Sequence, residues 1–117
     1  MPATYDTPPP SPAMATLTIT AKGVLYPHVS LRERLGLRYG QPIDLVPPYA
    51  YGDKYWYLDL RPTALRRVQW NKDTRPRVQG IILPPGLVTD KLTLYLLPGE
   101  PAYPNYYPLL PENAFTP

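Results

Sequence analysis

The chain has 117 residues, no cysteine, one histidine and a formal charge of +3. That length suits one domain, and the missing cysteine excludes disulfides and thiolate metal sites. No apolar run approaches the ~18 residues a membrane span needs, and MPATYDTPPP lacks the basic and apolar regions of a signal peptide, so a soluble, cytoplasmic protein is expected.

Nineteen prolines and eleven tyrosines set the character of the chain. Proline works against long helices and central strand positions, while tyrosine favours strands and amphipathic surfaces. Residues 1–15 read as a Pro-rich arm with polyproline character at Pro8-Pro9-Pro10. From Leu17 the pattern changes: Leu17, Ile19 and Ala21 alternate with Thr16, Thr18 and Thr20, the period of a half-buried strand. Lys22-Gly23 is a turn signal, Val24-Leu25-Tyr26 a second short strand, and Pro27 its stop. Ser30 with Glu33 three residues later has the spacing of a capping box. The spacing predicts one short helix from Leu31 to about Leu37, with Leu31 and Leu35 on its core face and Gly40 as its better stop signal.

Ile43-Asp44-Leu45-Val46 predicts a third strand. A fourth follows the loop at 47–54, with Tyr55, Tyr57 and Asp59 on one face and Trp56, Leu58 and Leu60 on the other. These two are expected to pair as a hairpin. Residues 61–77 fit either a helical turn around Leu65 and Val68 or a strand carrying Val68 and Trp70, with a turn at Asn71-Lys72-Asp73-Thr74. Val78 to Leu83 and Leu92 to Leu97 read as two further strands that pair with each other. The Pro/Tyr tail of residues 98–117 either packs along a sheet or stands free.

The order strand, Lys-Gly turn, strand, Pro, capped helix, Leu-Gly-Leu, Gly and further strand resembles the AbrB/MazE/SpoVT swapped-hairpin family. The residues that carry it are Thr18-Ile19-Thr20-Ala21-Lys22-Gly23, Pro27, Leu31-Arg32, Leu35-Gly36-Leu37, Gly40, Ile43 and Leu45. Val24 departs from the Arg or Gln common after that glycine, and Pro27 sits one residue early. The resemblance implies a mainly β fold with one short α-helix, a dimeric AbrB-like swapped-hairpin β-barrel at residues 16–60. A basic β extension at 61–97 and the Pro/Tyr tail at 98–117 would follow it. It implies a homodimer whose strands interleave around Leu31 and Leu35. It also implies DNA contact through basic side chains, here Lys22, Arg32, Arg34 and Arg38.

Residues 61–97 strengthen the nucleic-acid reading, with seven Lys/Arg against two Asp. Arg66, Arg67, Arg75 and Arg77 are candidate phosphate contacts, and Trp70 is placed among them to stack on a base or to fill the core. Catalytic patterns are absent by comparison. His28 has no recognisable nucleophile partner, Asp44, Asp53, Asp59, Asp73 and Asp90 lack metal-ligand spacing, and no Gly-rich phosphate loop exists. The expectation is therefore a non-enzymatic, cofactor-free, dimeric DNA-binding protein, a transcription regulator or antitoxin-like factor. Two alternatives stand beside it. One is a structural or adaptor protein that offers its Pro/Tyr arms to a protein partner; the other is an RNA-directed toxin like SymE.

Overall fold

The computed structural model describes residues 15–49, 53–70 and 75–112. They form strands β1 (Thr16–Thr20) and β2 (Leu25–Pro27), helix α1 (Val29–Leu35), and strands β3 (Pro42–Val46), β4 (Trp56–Asp59), β5 (Arg66–Arg67), β6 (Lys91–Leu96) and β7 (Tyr106–Pro111). One antiparallel sheet holds every strand in the order β2-β1-β6-β7-β4-β3-β5. It curls into a half-barrel. Single bridges then carry its two edges towards each other: Gln69 pairs with Arg77, and Val78 with Leu25. The fold is thus mainly β with one short helix. No described helix is long and apolar enough to cross a membrane.

The expected alternation of β1 is present. Leu17 and Ile19 are fully buried, and Thr16 and Thr18 lie on the other face at the surface. The same period puts Ile43 and Leu45 of β3, Trp56 and Leu58 of β4, Leu94 and Leu96 of β6, and Leu109 of β7 on the concave side. Leu31 from α1 and Val68, Val78 and Ile81 from the connecting segments complete that core. At roughly 25 cal/mol per Å² of apolar area removed from water, this cluster is the main stabilising term.

Pro27 belongs to β2 instead of stopping it, and the ladder explains why. Thr20 N–H donates to the Val24 carbonyl and His28 N–H to the Thr16 carbonyl, so bonded pairs alternate on either side of the Leu17–Pro27 pair. Pro27 falls where no N–H is required. Pro108, in the central strand β7, meets that condition only towards β4; towards β6 it stands at a bonded position and lacks the N–H that would return the Leu97 bond, at the end of the ladder. It faces Tyr57 across β4 between the bonded positions, and on the other side its carbonyl accepts from Leu97 N–H, just past the end of β6.

Four expectations are corrected. The helix starts two residues early, its N-cap is His28 with no side-chain capping bond, and Ser30 lies inside the first turn, so there is no capping box on Ser30 and Glu33. It ends at Gly36, not Gly40: Gly36 is left-handed at φ 64° and its N–H donates to the Arg32 carbonyl. Residues 78–83 are not a strand beyond the Val78 bridge. They do not pair with β6, which lies between β1 and β7. Gly80, at φ 82°, turns the chain away within that segment. Of the two alternatives for the Pro/Tyr tail, packing in a sheet holds for Tyr106–Pro111, which is the central strand β7; β6 and β7 fill the space between the β1/β2 and β3/β4 hairpins. Strands β3 and β4 pair as expected. Of the arm expected at 1–15, Ala15 is instead buried in the core and bonded to Leu96; residues 1–14, the turn at 71–74 and residues 113–117 lie outside the described residues.

Candidate functional site

Where α1 meets β1, the single histidine is held between two threonines. His28 Nδ1 is 2.6 Å from Thr16 Oγ1 and Nε2 is 2.9 Å from Thr18 Oγ1. A strand places residues two apart on one face, so Thr16 and Thr18 form a paired hydroxyl mount for the ring. Hydroxyls donate or accept as required, so either neutral tautomer fits. This use of the ring explains why His28 caps α1 through its backbone alone. Burial, then the charges of Arg75 and Arg32, hold the imidazole below its ordinary pKa.

Arg32 stands one turn along α1, its N–H donating to the His28 carbonyl at 2.9 Å. Its guanidinium lies 4.9 Å from the centre of the Trp70 ring. Trp70 comes from the far segment that the Gln69–Arg77 bridge folds into a hairpin. The returning arm of that hairpin meets β2 through Val78–Leu25, which brings Arg75 over Tyr26 at 4.4 Å. Tyr26, Pro27, His28, Val29, Arg32, Arg75 and Pro76 line a cleft of about 200 Å³. No lining residue is acidic. Among the described residues neither Arg32 nor Arg75 forms an ion pair, and the buried Nε of Arg32 has no hydrogen-bond partner. Aromatic faces position these two cations without neutralising them.

The other predicted basic residues go elsewhere. Lys22 is exposed in the turn after β1, at the opposite end of that strand from His28, roughly 13 Å along it. Arg34 and Arg38 are exposed, and Arg34 borders a separate cleft beside residues 96–101. Arg66 is half-buried; its Nη1 is 2.9 Å from Asp44 Oδ2 and its Nε donates to the Gly80 carbonyl. Arg67 donates weakly to the Gly40 carbonyl at 3.4 Å. Arg77 is half-buried with a partnerless Nε. Trp70 is 36% exposed, neither a core residue nor a free platform. Tyr26, Thr16 and Thr18 were not among the residues singled out from sequence. The Thr alternation of β1 put two hydroxyls on one face, but nothing local said that His28 would dock there.

On the outer face of β4 and β7, Asp59 is buried and takes both guanidinium arms of Arg61, at 2.9 and 3.0 Å. That hydrogen bonding holds its carboxyl below the usual range against the opposing effect of burial. Tyr106 stacks between Arg61 and Tyr57, and burial pushes its phenol up. Among the described residues no three His, Asp or Glu side chains gather as a metal site requires.

No family model, no curated protein and no solved structure matches this chain.

Proposed function

We propose that this chain binds nucleic acid, as a DNA-binding regulator of AbrB-like type, and that the cleft between α1 and the 69–78 hairpin is the contact surface. The observation that carries this reading is the meeting of Arg32 with Trp70 and Arg75. Two basic clusters more than 35 residues apart in sequence converge on one cleft with no acidic lining residue, and among the described residues their guanidinium groups meet aromatic rings and no carboxylate. Guanidinium groups in that state suit phosphate oxygens, and the half-exposed Trp70 edge is available to a base. Lys22, Arg34, Arg38 and Arg67 add positive surface around the cleft; Arg66, paired with Asp44, is the weakest contributor.

Phosphate contact releases counterions, so affinity for a duplex should fall steeply with salt, by a log–log slope of about −0.9 per neutralised phosphate. Fluorescence anisotropy of a labelled duplex, and of the matching single strand and RNA, across a salt series tests this. A slope near zero for every nucleic acid would refute the proposal. Because the cleft is assembled within one chain, the expected homodimer is a separate question. Two copies would present two such clefts, and sedimentation at low concentration decides between one copy and two.

A further inference from the structure

The outer face of β4 and β7 carries a second surface. Tyr55, Tyr57, Ala102, Tyr103, Tyr106 and Pro108 line an apolar groove of about 350 Å³. The Tyr57 and Tyr106 rings stack at 4.7 Å and 16°, and Tyr55 leans over Tyr57 at 6.5 Å and 41°. Tyr103 is 69% exposed at its edge, and the Lys54 ammonium lies 5.6 Å from the Tyr55 ring. Ridges of tyrosine and proline with little polar lining are the surface on which polyproline II segments dock, because that conformer is preformed and loses little entropy on binding.

The chain carries such a segment itself. Residues 8–12 read PPPSP, and Asp6 is the only charged side chain among residues 1–14. The route is defined by the sheet. Leu96 N–H donates to the Ala15 carbonyl, Leu96 faces Leu109, and Leu109 faces Trp56. That row crosses three strand spacings, about 14 Å in all. The described chain begins at Ala15, at the end of β1 next to the row of Leu97, Pro108 and Tyr57. At about 3.1 Å per residue, Pro12 reaches roughly 9 Å from Ala15 and Pro8 roughly 22 Å, so the groove falls within the span of the prolines.

We propose that this tyrosine groove is a polyproline-binding site and that its occupant is the Pro8-Pro9-Pro10 segment of the same chain. A tether this short gives the arm a millimolar effective concentration, so docking needs only modest intrinsic affinity. An external Pro-rich ligand would have to displace it.

The test uses the full-length chain and a fluorescent peptide of residues 4–13. In the chain carrying Pro8→Ser, Pro9→Ser and Pro10→Ser the groove is open, and the peptide should bind about tenfold more tightly than to the unsubstituted chain. Adding Tyr103→Ala, an exposed position that leaves the sheet intact, should weaken that binding several-fold. The difference between the two chains should persist on dilution. Equal binding to both, or none to the substituted chain, overturns the proposal. Loss of the difference on dilution would move the arm to a second copy and overturn the same-chain assignment. If the peptide is ignored while an oligothymidine quenches the groove tyrosines, the surface is a base-stacking platform and the proposal fails.

Discussion

Two corners of this molecule hold arginines in opposite ways. At the β3/β5 edge, Arg66 faces Asp44 at 2.9 Å and is half-buried; at the end of β4, Arg61 chelates Asp59. At the α1/hairpin corner, Arg32 and Arg75 lie over Trp70 and Tyr26, with no carboxylate beside them among the described residues. The first arrangement neutralises charge and ties strands together. The second aligns a cation while leaving its field directed outwards, because the ring quadrupole attracts the guanidinium but cancels none of its charge. Similar residue types therefore do structural work in one place and offer a binding surface in the other. The difference lies in whether an acid stands beside the guanidinium, since Arg61 lies over a ring as well, that of Tyr106.

The sharpest way to break this comparison is to remove the two unpaired cations. Arg32→Gln with Arg75→Gln should lower affinity for a duplex about a hundredfold, two charge-assisted contacts at roughly 1.5 kcal/mol each, and should make the salt slope shallower by about two. Anisotropy in a salt series reads both; unchanged affinity would assign these arginines a structural role. On the paired side, Asp44→Asn leaves Arg66 half-buried without its carboxylate. It should cost about 1–2 kcal/mol, between the values for exposed and buried pairs, as seen in denaturant midpoints, with affinity unchanged within about twofold. Trp70→Ala should weaken binding by about three- to fivefold through loss of the platform under Arg32, yet leave the salt slope as it was, since no charge is removed. Trp70→Phe should restore most of that loss.

The smallest effect is on pH. The folded state holds His28 below its ordinary value, so as pH falls from about 6.5 the unfolded chain takes up this proton first. The contribution is fully present above that pH and is lost as pH falls through the folded-state value. His28→Gln should flatten the stability profile in this interval. Asp59 has the same sign at lower pH. Its depressed carboxyl stabilises the fold above about 3.8, and that contribution is lost as pH falls through the folded value. An anion bound between Arg32 and Arg75 relieves their repulsion on His28 but also buries the ring further, so binding is accompanied by proton uptake only where the relief exceeds the added burial. Calorimetry in buffers of different ionisation enthalpy measures that uptake.

Much of the first half of the fold was legible in the chain. Leu17/Ile19 alternation, the Lys22-Gly23 turn, the 3.6-period pair Leu31/Leu35 and the Ile43/Leu45 alternation each mark an element within a few residues. Misplacements there came from local alternatives that tertiary contacts decided. Ser30 and Glu33 have capping-box spacing, but the ring of His28 docks on Thr16 and Thr18 and its backbone takes the cap position. Residues 78–83 have strand composition, yet one bridge to Leu25 and the left-handed Gly80 leave no ladder. Of the candidate site, the residue types were visible but their grouping was not. Arg32, Trp70 and Arg75 meet only because a hairpin from the second half of the chain pairs with β2.

Local pattern was enough to mark strands β1 to β4 and β6, the one short helix and the Lys22-Gly23 reversal, because side-chain period and backbone freedom are properties of neighbours along the chain; it also marked 78–83 as a strand, which it is not, and left β7 open. It also determined that positive charge gathers in residues 61–77. Tertiary structure alone decided that the Pro/Tyr segment becomes the central strand β7, that Pro27 sits where no donor is missed and Pro108 at the end of the β6 ladder, and which arginines meet acids. Those outcomes depend on strand partners brought from distant positions, and partner choice is settled by burying one shared apolar face, which no local stretch encodes.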